Sequence, residues 1–230
     1  MSTESSAPNR PVKDYETPTG AAFQVDFTWS RFRNIVKERK GDSLTPVYIQ
    51  HFRPLKPQLQ IDDAATKTRI STGTINGVSI AAECTIHGQT IGIKPLSKWK
   101  TAYNYFSPAL SSAELVAVSW ITTWSLKTWD FVCVESSTQS PIAKFSVNLW
   151  ALKEVGNFYF AKSAAELPKE LRDEVITVGL TILYVMATRM NNPLNLLGST
   201  FAKAGKVEDG RAGGVELQER PQDGTKHKQV

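Results

Sequence analysis

The sequence is poor in the residues that do most chemistry. Of 230 residues, two are cysteine and three are histidine. Cys84 and Cys133 stand far apart, each inside an alternating apolar stretch, so no disulfide framework is implied. Cys84-x-x-His87 offers two ligands where structural zinc takes four, and no second pair follows. A core cysteine beside a turn histidine is the better reading, and His51 and His227 are isolated. There is no Gly-x-Ser-x-Gly, no P-loop and no Gly-x-Gly-x-x-Gly, so the common nucleophile and phosphate-cradle signatures are missing. Asp26, Glu83, Glu114, Asp130 and Glu135 sit in strand-like stretches. They would serve as general acids or bases only if turned inward, where desolvation raises their pKa. Alternation points such residues outward. No catalytic residue, metal or cofactor is therefore assigned.

Targeting features are equally scarce. The start, Met1 to Pro8, has neither a basic segment nor an apolar core of the kind a secretory signal needs. Ser2 excludes N-myristoylation, and the last residues, Lys226 to Val230, hold no prenylation cysteine. The expected location is cytoplasmic, with peripheral membrane contact as an option. Charge is modest: the net value is +5, and it resides wholly in residues 21–201, with 19 basic against 14 acidic side chains. That excess suits an anionic surface and is too small to argue for nucleic acid.

What the chain does have is alternation. Phe23, Val25, Phe27 and Trp29 interleave with Gln24, Asp26 and Thr28, the mark of a strand with one buried face. Asn76-Gly77 between Thr74-Ile75 and Val78-Ser79 predicts a two-residue hairpin turn, after which Val78, Ile80, Ala82, Cys84 and Ile86 alternate cleanly. His87-Gly88 predicts the next turn. Leu115–Thr123 and Trp129–Val134 are nearly continuous apolar runs, as in strands covered on both faces. Ile142–Trp150 and Phe158–Ala161 complete a set of nine to twelve strands at short spacing. Trp120, Trp124, Trp129 and Trp150 read as wall packing before they read as a stacking platform. Residues 1–20 and 199–230 lack periodicity and are expected to be disordered tails flanking a barrel domain over 21–198.

One helix ends this series. Pro168 suits a first turn, Glu170, Asp173 and Glu174 complement the positive end of the helix dipole, and Val175 to Ala187 is apolar except for Thr177 and Thr181. A helix apolar on every side lies in a membrane or inside protein. Thirteen residues reach roughly 20 Å, short of a roughly 30 Å hydrocarbon slab, so no transmembrane span is expected. Wrapping strands around the helix hides it from water and removes open sheet edges. A barrel that holds a helix needs more than eight strands. The expected fold is mainly β: a closed antiparallel barrel of about twelve strands around a buried hydrophobic C-terminal helix.

This order of elements resembles the tubby C-terminal-like superfamily, which includes tubby proteins, phospholipid scramblases and LURP-one-related proteins. The likeness is greatest to uncharacterised fungal members, in Phe27-Thr28-Trp29, Val118-Ser119-Trp120 and Asp173-Glu174-Val175-Ile176. It implies a twelve-stranded barrel around a central helix and, from the tubby members, phosphoinositide binding through basic residues. No single binding residue is carried over by position. The membrane segment and cysteine-rich lipidated stretch of scramblase-like members have no counterpart here.

The densest positive segment is Arg31 to Lys40, with Arg31, Arg33, Lys37, Arg39 and Lys40 against Glu38. Together with Lys94, Lys98 and Lys100 it is the candidate lipid-binding set, each cation worth about 1 kcal/mol near an anionic leaflet. A solvated strand and loop is the competing reading. The expected function is a non-enzymatic module that reversibly binds anionic lipid headgroups or a protein partner. The alternative is an enzyme or small-molecule carrier acting as an accessory protein in fungal metabolism.

Overall fold

The computed structural model describes residues 16–76, 80–96, 102–111, 113–124, 128–148 and 153–191. Twelve strands form a closed antiparallel barrel, each paired with its sequence neighbours and β1 closing onto β12. They are β1 (Ala22–Thr28), β2 (Arg33–Lys40), β3 (Ser43–Phe52), β4 (Leu59–Asp63), β5 (Arg69–Ile75) and β6 (Ala82–Ile86). The second half is β7 (Gln89–Pro95), β8 (Ala102–Ser107), β9 (Val116–Trp124), β10 (Thr128–Glu135), β11 (Pro141–Asn148) and β12 (Glu154–Phe160). One helix, α1 (Lys169–Asn191), follows them and runs through the barrel.

Register follows the alternation. Phe23, Phe158, Phe145 and Phe131 stand opposite one another across four adjacent strands. All four are buried, and the rings of Phe145 and Phe158 stack at 3.9 Å. Every other residue of these strands therefore turns inward, as a period of two requires. From Asp173 to Leu183 every residue of α1 is buried, which a helix packed on a single sheet could not achieve. Side chains from all round the wall meet it. Tyr48 donates to Asp173, Ser71 lies 2.7 Å from Thr177, Cys84 Sγ is 3.3 Å from Thr181, and Tyr103 reaches Met186 Sδ at 3.2 Å. Among the described residues no helix is long and apolar enough to cross a membrane.

Two local expectations change. Ile75 pairs with Ala82, so six residues separate β5 from β6 where a two-residue turn is expected, and Gly77, Val78 and Ser79 lie outside the described residues. Asn76 instead braces the wider loop: its Nδ2 donates to Ala81 O at 3.2 Å and its Oδ1 accepts from Lys56 Nζ at 2.9 Å. Those partners favour the wider loop, and β6 begins at Ala82. The chain also joins the barrel before Ala22, since Gly20 N–H donates to Phe160 O at 3.0 Å. Residues 1–15 and 192–230, most of the two tails, lie outside the described residues.

Candidate functional site

Because α1 enters after β12, the barrel has an entry end, where α1 begins, and an exit end, where it stops. Antiparallel order then assigns every connection. The β1–β2, β3–β4 and β5–β6 connections lie at the exit end, and β2–β3, β6–β7 and β8–β9 lie at the entry end.

The exit end carries an aromatic cluster. After β1 the chain makes a single 3-10 turn, Trp29–Arg31, closed by Phe32 with φ +46°. A bulky residue in the left-handed region costs roughly 1–2 kcal/mol. That conformation holds the Phe32 ring against Phe27 and Phe52, each with centroids 5.5 Å away. Trp29 stands on Phe27 at 4.8 Å, and Phe52 packs on Tyr184 of α1 at 4.6 Å. Despite these contacts Trp29 is 66% exposed and Phe32 61%, and Leu55 on the neighbouring β3–β4 connection is 73% exposed. Below them Tyr184 and Gln50 both take the Asn34 amide, at 2.7 and 2.9 Å. Burial holds the Tyr184 phenol well above its ordinary pKa, so it stays neutral.

The charges divide by end. In the exit-end connections the described ionised side chains are Arg31, Arg53, Lys56 and Lys153, all positive. The entry-end connections carry Asp42, Lys67, Glu114, Lys162 and Glu166 among the described residues, with acids in the majority.

The sequence-based lipid set is accordingly split. Arg31 is exposed at the exit end, and Arg33 starts β2 there with a buried Nε that no described group accepts. Lys37, Arg39 and Lys40 lie further along β2 toward the entry end. They are engaged locally: Lys37 with Asp26 at 2.6 Å, Arg39 with Gln24 at 2.9 Å, Lys40 with Glu38 at 3.1 Å. Lys94 is exposed on β7, five strands from β2 and so nearly across the barrel. Lys98 and Lys100 lie outside the described residues. Phe32, inside the basic segment, was legible in the sequence as an apolar neighbour of its cations; the residues that sequence reasoning missed are Trp29, Leu55 and Arg53, of which Trp29 was visible two residues before Arg31.

The strand carboxylates face away from the interior or are paired: Asp26 with Lys37, and Asp130 with Lys144 at 3.0 Å; Glu83 is exposed. Glu114 lies in a connection before β9. The interior carboxylates are instead Asp173 and Glu174, at the entry end. Asp173 takes the Tyr48 hydroxyl, His87 Nε2 at 2.9 Å and Lys169 Nζ at 2.8 Å, with Arg172 Nε at 3.8 Å. Glu174 accepts from Tyr105 Oη at 2.9 Å and Ala109 N at 3.2 Å. Burial pushes its carboxyl above the usual range, against the pull of hydrogen bonds from Ser107, Tyr105 and Ala109. The helix apolar on every side was the available signal, since full envelopment must also cover these two positions. Cys84 is sealed in the core and His87 is spent on Asp173, so the Cys84-x-x-His87 spacing brings no ligand pair together.

No protein-family model matches the chain, and no curated protein matches it. Among solved structures, a protein from Arabidopsis thaliana is similar in fold, with a TM-score of 0.43 and 9% identity over 75% of this chain and 94% of that chain.

Proposed function

We propose that this protein is a non-catalytic module of tubby C-terminal-like type that docks reversibly on anionic membrane through the exit end of its barrel. The observation that carries this reading is Trp29 and Phe32, both mostly exposed, flanking Arg31. Aromatic rings partition into the headgroup boundary, where an apolar body and nearby cations are both satisfied. Leu55 adds apolar area, and Arg31, Arg53, Lys56 and Lys153 add positive charge without a neighbouring acid in the described connections. The left-handed Phe32 supports the same reading, because backbone strain of this kind collects at functional positions. Among the described residues the entry-end connections hold no exposed large aromatic ring, and there Lys67 and Lys162 are outnumbered by Asp42, Glu114 and Glu166.

Co-sedimentation tests it, using vesicles of phosphatidylcholine alone and vesicles that also contain phosphatidylserine or phosphatidylinositol bisphosphate. Recovery should require the anionic lipid and fall as salt screens the charges. Replacing Arg31 and Arg53 by Ser should weaken binding by about tenfold or more, at about 1 kcal/mol per cation. Trp29→Ser with Phe32→Ser should abolish it, whereas Arg39→Ser with Lys40→Ser should change little. Equal recovery on neutral vesicles, or loss only in the β2 variant, would contradict the proposal.

A further inference from the structure

A second site lies at the opposite end, independent of the membrane reading. A half-open cavity of about 340 Å³ sits between the β6–β7 turn, the β8–β9 connection and the first turns of α1. Its walls are apolar, from Ile86, Ile91, Pro108 and Ala109, and its acids are Glu170 and Glu174. The two carboxyls differ in placement: Glu174 is 1% exposed, whereas Glu170 is exposed beside the opening.

Their missing partners matter most. Among the described residues Glu174 is bound by neutral donors alone, the Tyr105 hydroxyl, the Ala109 N–H and Ser107. Glu170 makes no ion pair among the described residues. The nearby cations are already committed, because Lys169 and Arg172 both turn to Asp173, and Arg172 Nε also donates to Tyr48 Oη at 2.5 Å. His87, which lines the cavity, is held by Asp173 through Nε2 at 2.9 Å. A carboxyl withdrawn from water with no counter-charge is costly, and a cavity open to solvent beside it lets a ligand supply that charge. Among the described lining residues there is no Phe, Tyr or Trp, and the one ring, His87, is held by Asp173, so the aromatic cage that quaternary ammonium groups require is missing.

We propose that this cavity binds a small primary amine as its ammonium ion, with the ammonium between Glu174 and Glu170 and a short aliphatic body against Ile86, Ile91 and Pro108. The NH3⁺ group has three donors, which match the free acceptor positions that two carboxyls retain. Among the described lining residues an anionic ligand meets two carboxyls and a His87 already held by Asp173, so it is disfavoured.

Calorimetric titration of the full chain with n-hexylammonium, n-hexanoate and tetramethylammonium tests this. The expected result is saturable binding of n-hexylammonium alone. Glu174→Gln should weaken it by about tenfold or more, the worth of a charge-assisted hydrogen bond. Because that substitution lies in the core, Glu170→Gln and Gln89→Trp provide variants at exposed positions: the first should weaken binding severalfold, and the second should block the opening. Binding of n-hexanoate as tight as that of n-hexylammonium, no saturable binding of the amine, or unchanged binding in both Glu170→Gln and Gln89→Trp would each overturn the proposal. Vesicle binding is expected to be the same in all three variants, so failure here leaves the membrane test separate.

Discussion

Phe158 stands where a side chain on Gly179 would have to go: a β-carbon at residue 179 would lie 2.7 Å from Phe158 Cε1 and 3.0 Å from Trp120 Cη2. The helix can pass through the barrel here only because it lacks a side chain on that face. Gly179→Ala gains up to about 1 kcal/mol in helix propensity. It forces two rigid rings apart, an overpacking cost of about 1–3 kcal/mol. The variant should therefore be less stable than the parent in urea denaturation. A gain in stability would mean that α1 is not gripped by the wall.

Asp173 is fully enclosed and holds Tyr48, His87 and Lys169 to the first turns of α1. Removing it strands the buried Tyr48 hydroxyl, a cost of about 1–3 kcal/mol, while the half-exposed Lys169 and His87 keep their water. Asp173→Ala should show that loss as a lowered denaturation midpoint, and a loss below about 1 kcal/mol would place the network in solvent.

The architecture was readable because it rests on two periodicities. Alternation such as Phe23, Val25 or Cys84, Ile86 fixes which face of a strand is buried, and the apolar run from Val175 requires protein on every side of α1. The Asn76-Gly77 turn misled because a dipeptide preference is small beside the partners that Lys56 and Ala81 give Asn76. The sites were less legible for a related reason. Charge density in the sequence says nothing of which end each side chain reaches: the extended β2 carries Lys40 to the end opposite Arg31, and closure of the barrel carries Lys94 nearly across from both. Asp173 and Glu174 look like ordinary first-turn acids until the barrel is drawn around them.

Glu174 makes stability depend on pH. Its folded pKa is raised above the ordinary 4.5 by burial, so the stability it contributes is complete below about 4.5 and is lost as pH rises through the folded value. The other groups facing it, Tyr105 from β8, Cys84 from β6 and Cys133 from β10, keep their protons throughout that range, since burial raises all three. Glu174→Gln should thus gain on the parent as pH increases from 4 to 8, in paired denaturation curves. A difference independent of pH would show that the carboxyl is solvated.

Both cysteines should be silent to thiol reagents in the native state. Cys84 and Cys133 are free and buried, and burial pushes the Cys84 thiol up to about 12. Only the thiolate reacts. Alkylation by iodoacetamide should proceed at the rate of unfolding, and fast labelling of the native chain would mean an open wall.

That inertness makes a site-specific probe of membrane orientation possible. A polarity-sensitive fluorophore is placed on Ser30→Cys, between Trp29 and Arg31, and separately on Ala65→Cys in the β4–β5 connection at the entry end. Vesicles containing phosphatidylserine and a bilayer-embedded quencher are then added. The expected result is a blue-shifted emission and strong quenching for the label at residue 30, with neither for the label at residue 65. Equal responses at the two positions, or a response at residue 65 alone, would contradict docking through the exit end.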